Sequence, residues 1–521
     1  METINLSAIE SLPWELLAKI MWHHVETDDL QELVQPGCQD RWTCLMLVCR
    51  LWRNIARRTP KLWSQIHLHW PSQTVLRFST RGAKAPRSIG IDNAVFTSPR
   101  WPRDKISLTH ILATRVDRLS IVVHDSFFSV PSSIAENLKW VCDRIFDPAH
   151  ETPHLRRLNL KLQAPGLLDT VTLANLPRLS ELRLHNVPIT SDIPSSCSLT
   201  NVEISCSKIP FDFLAFLSGV PMLECASFIE LVALKPDPIS TRRSRPTIPL
   251  HHLQKLTFQW CRDVNYDAIL RSITYPNSAQ ISLVMKTSSD DLFSEIIPEC
   301  WPTLLGSCSV LYLSLLEQHT RDIIILELNS TNSAFYHIEL SYTVDSRRPG
   351  ILPNKGATAR SERIFTDLMQ DGYSLVGLRR LTLVLPSLPS SKTLTSLVKR
   401  CVDLEEIWVQ TDNATALITA LELPAPIVNS NSTSLQCPAL RHLHLCWSKF
   451  NPYHLERMSR ARRETWADVA PEMARLKVTM GFRFSRRIDG RAAIRPAREA
   501  AVENPFALYF RLTRDRGLGY R

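Results

Sequence analysis

The sequence predicts an α/β protein: a helical module at the amino terminus, then an irregular array of helix–strand repeats whose short strands line one curved parallel sheet. Two observations carry this expectation. Two segments near the start, Leu12–Ile20 and Leu47–Ala56, space their apolar residues as on one face of a helix. A Leu-x-x-Leu-x-Leu pattern then recurs through the middle of the chain at intervals close to those of stacked repeats. At 521 residues the chain exceeds one ordinary core, so several domains or an extended array are expected.

In the first segment Ser11 can cap a helix whose first turn holds Pro13, where a missing N–H costs no hydrogen bond. Leu12, Leu16, Leu17 and Ile20 share one face of that helix. In the second, Leu45, Val48, Cys49, Trp52, Ile55 and Ala56 repeat at spacings of three and four. Two short helices cannot bury all this surface between themselves. The remainder needs the next domain or another protein.

The Leu12-Pro13-Trp14-Glu15-Leu16-Leu17 opening, the Val48-Cys49-x-x-Trp52 core and the trailing Pro60-Lys61-Leu62-Trp63 occur together and in this order. The stretch resembles an F-box, the helical module that docks a protein onto the Skp adaptor of a cullin ubiquitin ligase. The insert from about Glu26 to Arg41 is longer and more acidic than the family's usual connection. The resemblance implies an adaptor-binding set of Leu12, Pro13, Leu16, Leu17 and Ile20, then Leu47, Val48, Cys49, Trp52 and Ile55.

Clear copies of the repeat are Leu155/Leu158/Leu160, Leu179/Leu182/Leu184, Leu199/Val202/Ile204, Leu253/Leu256/Phe258, Leu378/Leu381/Leu383, Leu404/Ile407/Val409 and Leu440/Leu443/Leu445. Val116/Leu119/Ile121 and Leu223/Ala226/Phe228 are poorer ones. The alternating pair that ends each copy is a short strand with an apolar inward face. Helical segments at Phe211–Leu217, Leu394–Arg400 and Ala414–Leu421 precede several copies. Helix, then Cys-x-x-Leu or Pro-x-Leu, then strand is similar to the F-box-linked leucine-rich repeat, in the style of F-box proteins abundant in mushroom-forming fungi. The resemblance implies an irregular leucine-rich-repeat solenoid. One unit cannot bury both of its faces, but stacked neighbours extend a continuous core. The asparagine usual three positions after the last leucine is replaced by Gln163, Ser207, Cys261, Pro386, Asp412 or Ser448. A less regular curve is expected in consequence.

The expected layout is an F-box domain over 1–65, a linker with short strands over 66–115, the solenoid over 116–452, and a capping helix with a basic tail over 453–521. Ile66–Trp70 and Ser88–Asp92 read as the linker strands, and Val310–Leu315, Ile323–Leu328 and Tyr336–Tyr342 as further strands. Lys235–Pro249 and Arg347–Arg360, rich in proline, serine and arginine, read as excursions. From Glu456 onward 16 Arg and Lys face 8 acids, so most of the net charge of +10 lies there. Leu455, Met458, Trp466, Val469 and Met473 of a helix near Tyr453–Arg475 are placed to seal the last repeat.

The first residues lack a basic segment followed by an apolar core, and no apolar run approaches 18 residues, so neither secretion nor membrane contact is expected. The 13 scattered cysteines contain no CxxC pair and read as reduced thiols of the cytoplasm or nucleus. With 14 glycines and no GxxxxGK[ST], GxGxxG or GxSxG, no nucleotide or hydrolase site is expected. His442 and His444, with Cys437 and Cys446 nearby, lack a second ligand pair for zinc, and no cofactor is expected. Tail aromatics such as Phe482, Phe484 and Phe506 are not interleaved with the arginines, which argues against a nucleic-acid module.

The expected function is therefore non-catalytic: a substrate receptor that binds the Skp adaptor, and through it cullin, by the F-box and an unknown protein by its repeats. The alternatives are a scaffold outside any ligase and a nucleic-acid-associated protein using the basic tail. Strand alternation assigns the substrate face to Arg157, Asn159, Arg183, Thr257, Arg380, Thr382, Trp408, His442 and His444.

Overall fold

The computed structural model describes residues 12–25, 44–98, 116–123, 132–146, 154–234 and 247–287 with short breaks, 308–317, 321–329, 335–343, 361–366 and 375–466 with short breaks, and 476–481. The excursion at 347–360, most of that at 235–249, Ser11, and the chain after 481 lie outside the described residues.

A mixed α/β architecture is organised around one sixteen-stranded, mostly parallel sheet. Its strands are β1 (Gln65–His67), β2 (Arg87–Asp92), β3 (Val116–Val123), β4 (Arg157–Leu162), β5 (Glu181–His185), β6 (Asn201–Ser205), β7 (Cys225–Ile229), β8 (Lys255–Gln259), β9 (Gln280–Thr287), β10 (Val310–Glu317), β11 (Arg321–Asn329), β12 (Phe335–Thr343), β13 (Arg380–Val384), β14 (Glu406–Gln410), β15 (His442–Cys446) and β16 (Lys477–Gly481). β1 to β9 lie side by side in chain order. β12, β11 and β10 follow in reverse order, and β13 to β16 complete the sheet.

β11 runs antiparallel to both neighbours, and every other pairing in the sheet is parallel. The reason is loop length. Three residues separate β10 from β11 and five separate β11 from β12, enough for hairpins but not for the dozen or more that a parallel crossover needs. The three strands expected here form, but as a meander inserted in reverse, so chain order breaks in the middle of the sheet.

Alternation sorts the side chains into faces. Leu158, Leu182, Val202, Ala226, Leu256 and Ile281 form one register row, and Leu160, Leu184, Ile204, Phe228, Phe258 and Leu283 a second. Both rows are buried. Phe228 and Phe258 stack at 5.4 Å, with Phe213 edge-on to each at 5.2 and 5.4 Å. The helices that supply such residues begin at good caps: Asp212 accepts from the N–H groups of Leu214 and Ala215, and Ser390 from that of Thr393.

The same backbone device recurs from unit to unit. A turn closes before the strand at Leu179→Leu176, Leu223→Val220, Leu253→Leu250, Leu378→Leu375, Leu404→Cys401 and Leu440→Cys437, N–H to carbonyl. After β5 to β8 the chain leaves the sheet through Asn186, Cys206, Glu230 and Trp260, all at positive φ. Each donates its N–H to the carbonyl that ends the contacting part of the next strand: Ser205, Ile229, Gln259 and Val284. Such backbone is costly for non-glycine residues, and the repeated bond offsets that cost. Asn186 also donates its amide to the carbonyls of Leu162 and Gln163, and the Cys261 thiol reaches the carbonyl of Phe228 at 3.3 Å. Contacts between successive units therefore persist without a regular asparagine ladder.

The sheet runs across the domain limits that the sequence suggests. Both strands expected in the 66–115 stretch are its first members, and β16 extends it past 453. Of the helix expected near Tyr453–Arg475, Pro452–Trp466 is helical and residues 467–475 lie outside the described residues. Met458 is buried and Leu455 packs on the core, while Val469 and Met473 lie outside the described residues.

Candidate docking and recognition surfaces

Helix α1 (Trp14–Val25) starts two positions later than a cap at Ser11 implies. The Pro13 carbonyl accepts from the N–H groups of Leu16 and Leu17 at 3.0 and 3.1 Å, which makes Pro13 the cap rather than part of the first turn. A helical turn over 44–48 leads to α2 (Arg50–Arg58), whose cap is Cys49, its Sγ accepting from the Trp52 N–H at 3.4 Å. Burial divides the residues that the F-box resemblance marks for the adaptor. Leu17 and Ile55 are buried with Met21, Leu45 and Ala56, so they hold the module together and are not free to touch a partner. Leu12, Cys49 and Trp52 are half-buried. Pro13, Leu16, Ile20, Leu47 and Val48 are exposed, Leu47 to 70% and Val48 to 58%.

Trp14 and Leu51, not singled out by the sequence, are exposed beside them. Of the 13 large apolar side chains well exposed among the described residues, six fall between Trp14 and Leu51. Scattered apolar exposure needs no explanation, but concentration on one small module points to a partner. The periodicity of Leu47 and Leu51 carried this signal.

The second surface is the polar face of the sheet. One register row crosses all sixteen strands: His67, Gly90, Ser120, Asn159, Arg183, Glu203, Ser227, Thr257, Ser282, His337, Glu327, Tyr312, Thr382, Trp408, His444 and Thr479. All nine residues assigned to the substrate face by alternation lie opposite the buried rows. They are not one cluster. Arg157 and Arg183 flank Glu181 at 3.4 and 2.9 Å. Asn159 is buried and donates to the Ser120 hydroxyl at 2.9 Å, so it ties two strands together and is corrected from a substrate contact to a structural one. Thr257 stands apart. In the middle His337 meets Glu327 at 2.9 Å, both buried beside Tyr312.

Arg380, Thr382, Trp408, His442 and His444 come together on β13 to β15. Their centre is Glu406, which the sequence reading passed over. Its carboxylate accepts from Arg380 Nε at 2.6 Å and Trp408 Nε1 at 2.7 Å, and lies 3.1 Å from His444 Nε2. Burial opposes the Glu406 charge, but the Trp408 N–H and Arg380 outweigh it and hold the carboxyl below its ordinary pKa. Burial pulls the His444 pKa down, more than Glu406 raises it, so the ring is neutral near pH 7. Trp408 stacks on His444 with centroids 3.9 Å apart and planes 16° apart. A cavity of about 360 Å³ adjoins this group, lined by Ser309, Val310, Gly377, Arg379, Arg380, Glu405 and Glu406. Arg183 and Arg380 are eight strands apart, roughly 38 Å at ~4.8 Å per strand.

Among the described residues no three His, Cys, Asp or Glu side chains gather as metal ligands, and no helix is long and apolar enough to cross a membrane. No family model matches the chain, and no curated protein matches it.

Proposed function

We propose that this chain is the substrate-recognition subunit of a Skp–cullin–F-box ubiquitin ligase, acting in the cytoplasm or nucleus. The observation that carries the reading is the exposure of Leu16, Ile20, Leu47 and Val48 at positions the F-box resemblance gives to the adaptor. Covering their exposed apolar surface contributes roughly 25 cal/mol per Å², which favours a partner over them. Trp14 and Leu51, on the same two helices, are exposed as well.

The repeated unit is read as a degenerate leucine-rich repeat, and the sheet as the lining of an irregular, curved solenoid. The turn that recurs before six of the strands and the mostly parallel register support that reading. The polar face then receives a target protein, and the chain has no chemistry of its own to perform. Its work is geometric: a substrate held near a charged conjugating enzyme reacts at raised effective concentration.

The test mixes the purified chain with a purified Skp adaptor and measures association by calorimetry. A one-to-one complex is expected, and absence of binding removes the reading. A complex that forms but supports no ubiquitin transfer when cullin and conjugating enzyme are added identifies a scaffold instead.

A further inference from the structure

We propose that the Trp408 corner of the sheet is the anchor for the target protein, and that it takes an acidic peptide segment. This rests on the receptor reading above. The two groups of substrate-face residues differ in what they offer. Around Glu181, Arg157 and Arg183 are spent on one carboxylate, and the neighbouring Asn159 is buried. Around Trp408, three features coincide: a flat aromatic surface, a cavity and unbalanced positive charge.

The aromatic surface is rigid before anything binds. Trp408 is fixed by its N–H bond to Glu406 and by stacking on His444, and His442 continues the tile at 6.2 Å with a 16° tilt. A preset ring loses little freedom on binding, which is why tryptophan dominates interface hot spots. The cavity lined by Arg380 and by Glu406, the partner of Trp408, is about 360 Å³, enough for a side chain. Arg379 and Arg380 line it, and along the edge where the strands begin the Arg441 N–H bonds to the Glu405 carbonyl and the Lys477 N–H to the Arg441 carbonyl. Arg379 pairs with Glu405 at 4.0 Å and Arg380 with Glu406 at 2.6 Å, so Arg441 and Lys477 are two cations more than these two carboxylates balance.

Arg380 gives Glu406 its Nε, one of five N–H donors on a guanidinium. Arg441 is exposed at the start of β15. Carboxylates of the peptide meet these arginines, and an adjacent apolar or aromatic side chain lies on the Trp408–His444 tile. Positive charge at the rim repels a basic segment and speeds encounter with an acidic one.

The probes are two fluorescein-labelled pools of short randomised peptides, one with Asp and Glu at alternate positions and one with Lys and Arg there. Anisotropy is read against the full chain at low and high salt. The acidic pool should bind, more weakly at high salt, and the basic pool should not. Trp408→Ala and Arg441→Glu should each weaken binding by about tenfold, while Trp408→Phe, which keeps a ring, should retain most of it. Equal binding of both pools, or acidic binding untouched by Trp408→Ala and Arg441→Glu, overturns the anchor. Thermal unfolding of each variant separates loss of the site from loss of the fold. Peptide binding without adaptor capture would leave the anchor standing and remove the ligase reading.

Discussion

Trp63 Nε1 donates a 2.7 Å hydrogen bond to the carbonyl oxygen of Ala56, which joins the helical module to the start of the sheet. The ring is buried, meets Phe78 edge-on at 5.0 Å and carries Arg81 over one face at 4.2 Å. The trailing Pro60-Lys61-Leu62-Trp63 thus joins the module to the sheet within one continuous core. Trp63→Ala should cost roughly 3–5 kcal/mol, as large aromatic truncations do. Trp63→Phe keeps most of the burial and should cost about 1 kcal/mol, because the Ala56 carbonyl still accepts from the Thr59 N–H. Urea unfolding of the two variants checks the ranking.

The far end depends on Arg462. Its guanidinium is buried and donates to the carbonyls of Gln436 and Cys437 at 2.6 and 3.0 Å, in the turn that precedes β15. Arg462→Met keeps the volume but removes the donor to the Gln436 carbonyl, while the Cys437 carbonyl still accepts from the Leu440 N–H, so stability should fall by about 1–3 kcal/mol. Truncation before Tyr453 removes Arg462, Met458 and β16 together and should produce aggregation or proteolysis. Truncation after Pro496 should leave melting and adaptor capture unchanged. Equal behaviour of the two truncations would remove the capping role of the helix.

Acid should loosen the first strand before the rest. His67 of β1 is buried against Trp70, and burial, aided by His69, lowers its pKa from 6.5 to about 3, with Asp92 opposing. The unfolded chain therefore binds this proton more readily than the native one. Stability from His67 is complete above pH 6.5 and declines as pH falls toward 3. His67→Phe removes the titration and should flatten the decline in melting temperature between those pH values. An unchanged acid limb would show that His67 does not set it.

Much of the sheet was legible because its strands advertise themselves: Leu158/Leu160, Leu182/Leu184 and Leu443/Leu445 alternate as a half-buried strand must. β9 and β16 were not read, since neither Gln280–Thr287 nor Lys477–Gly481 follows a Leu-x-x-Leu turn. The reversed meander was hidden because apolar alternation has no direction, and the short links on either side of β11 carry that information instead. On the polar face, attention to cations and aromatics found Arg157, Arg380 and Trp408. It missed Glu181 and Glu406, which occupy the same outward positions and organise both groups. In the amino-terminal module, periodicity placed Leu17 and Leu16 on one helix but could not say which would be covered. That depended on Met21, Leu45 and Trp63 closing a small core from one side.

The exposed patch offers the most direct test of the receptor account. Leu47 and Val48 are outside the core, so Leu47→Ser combined with Val48→Ser should leave urea unfolding of the chain unchanged. Capture of the Skp adaptor by that double variant should be lost, because two buried hydroxyls replace apolar contact without gaining partners. Unaltered capture by a fully folded Leu47→Ser, Val48→Ser chain would contradict the account.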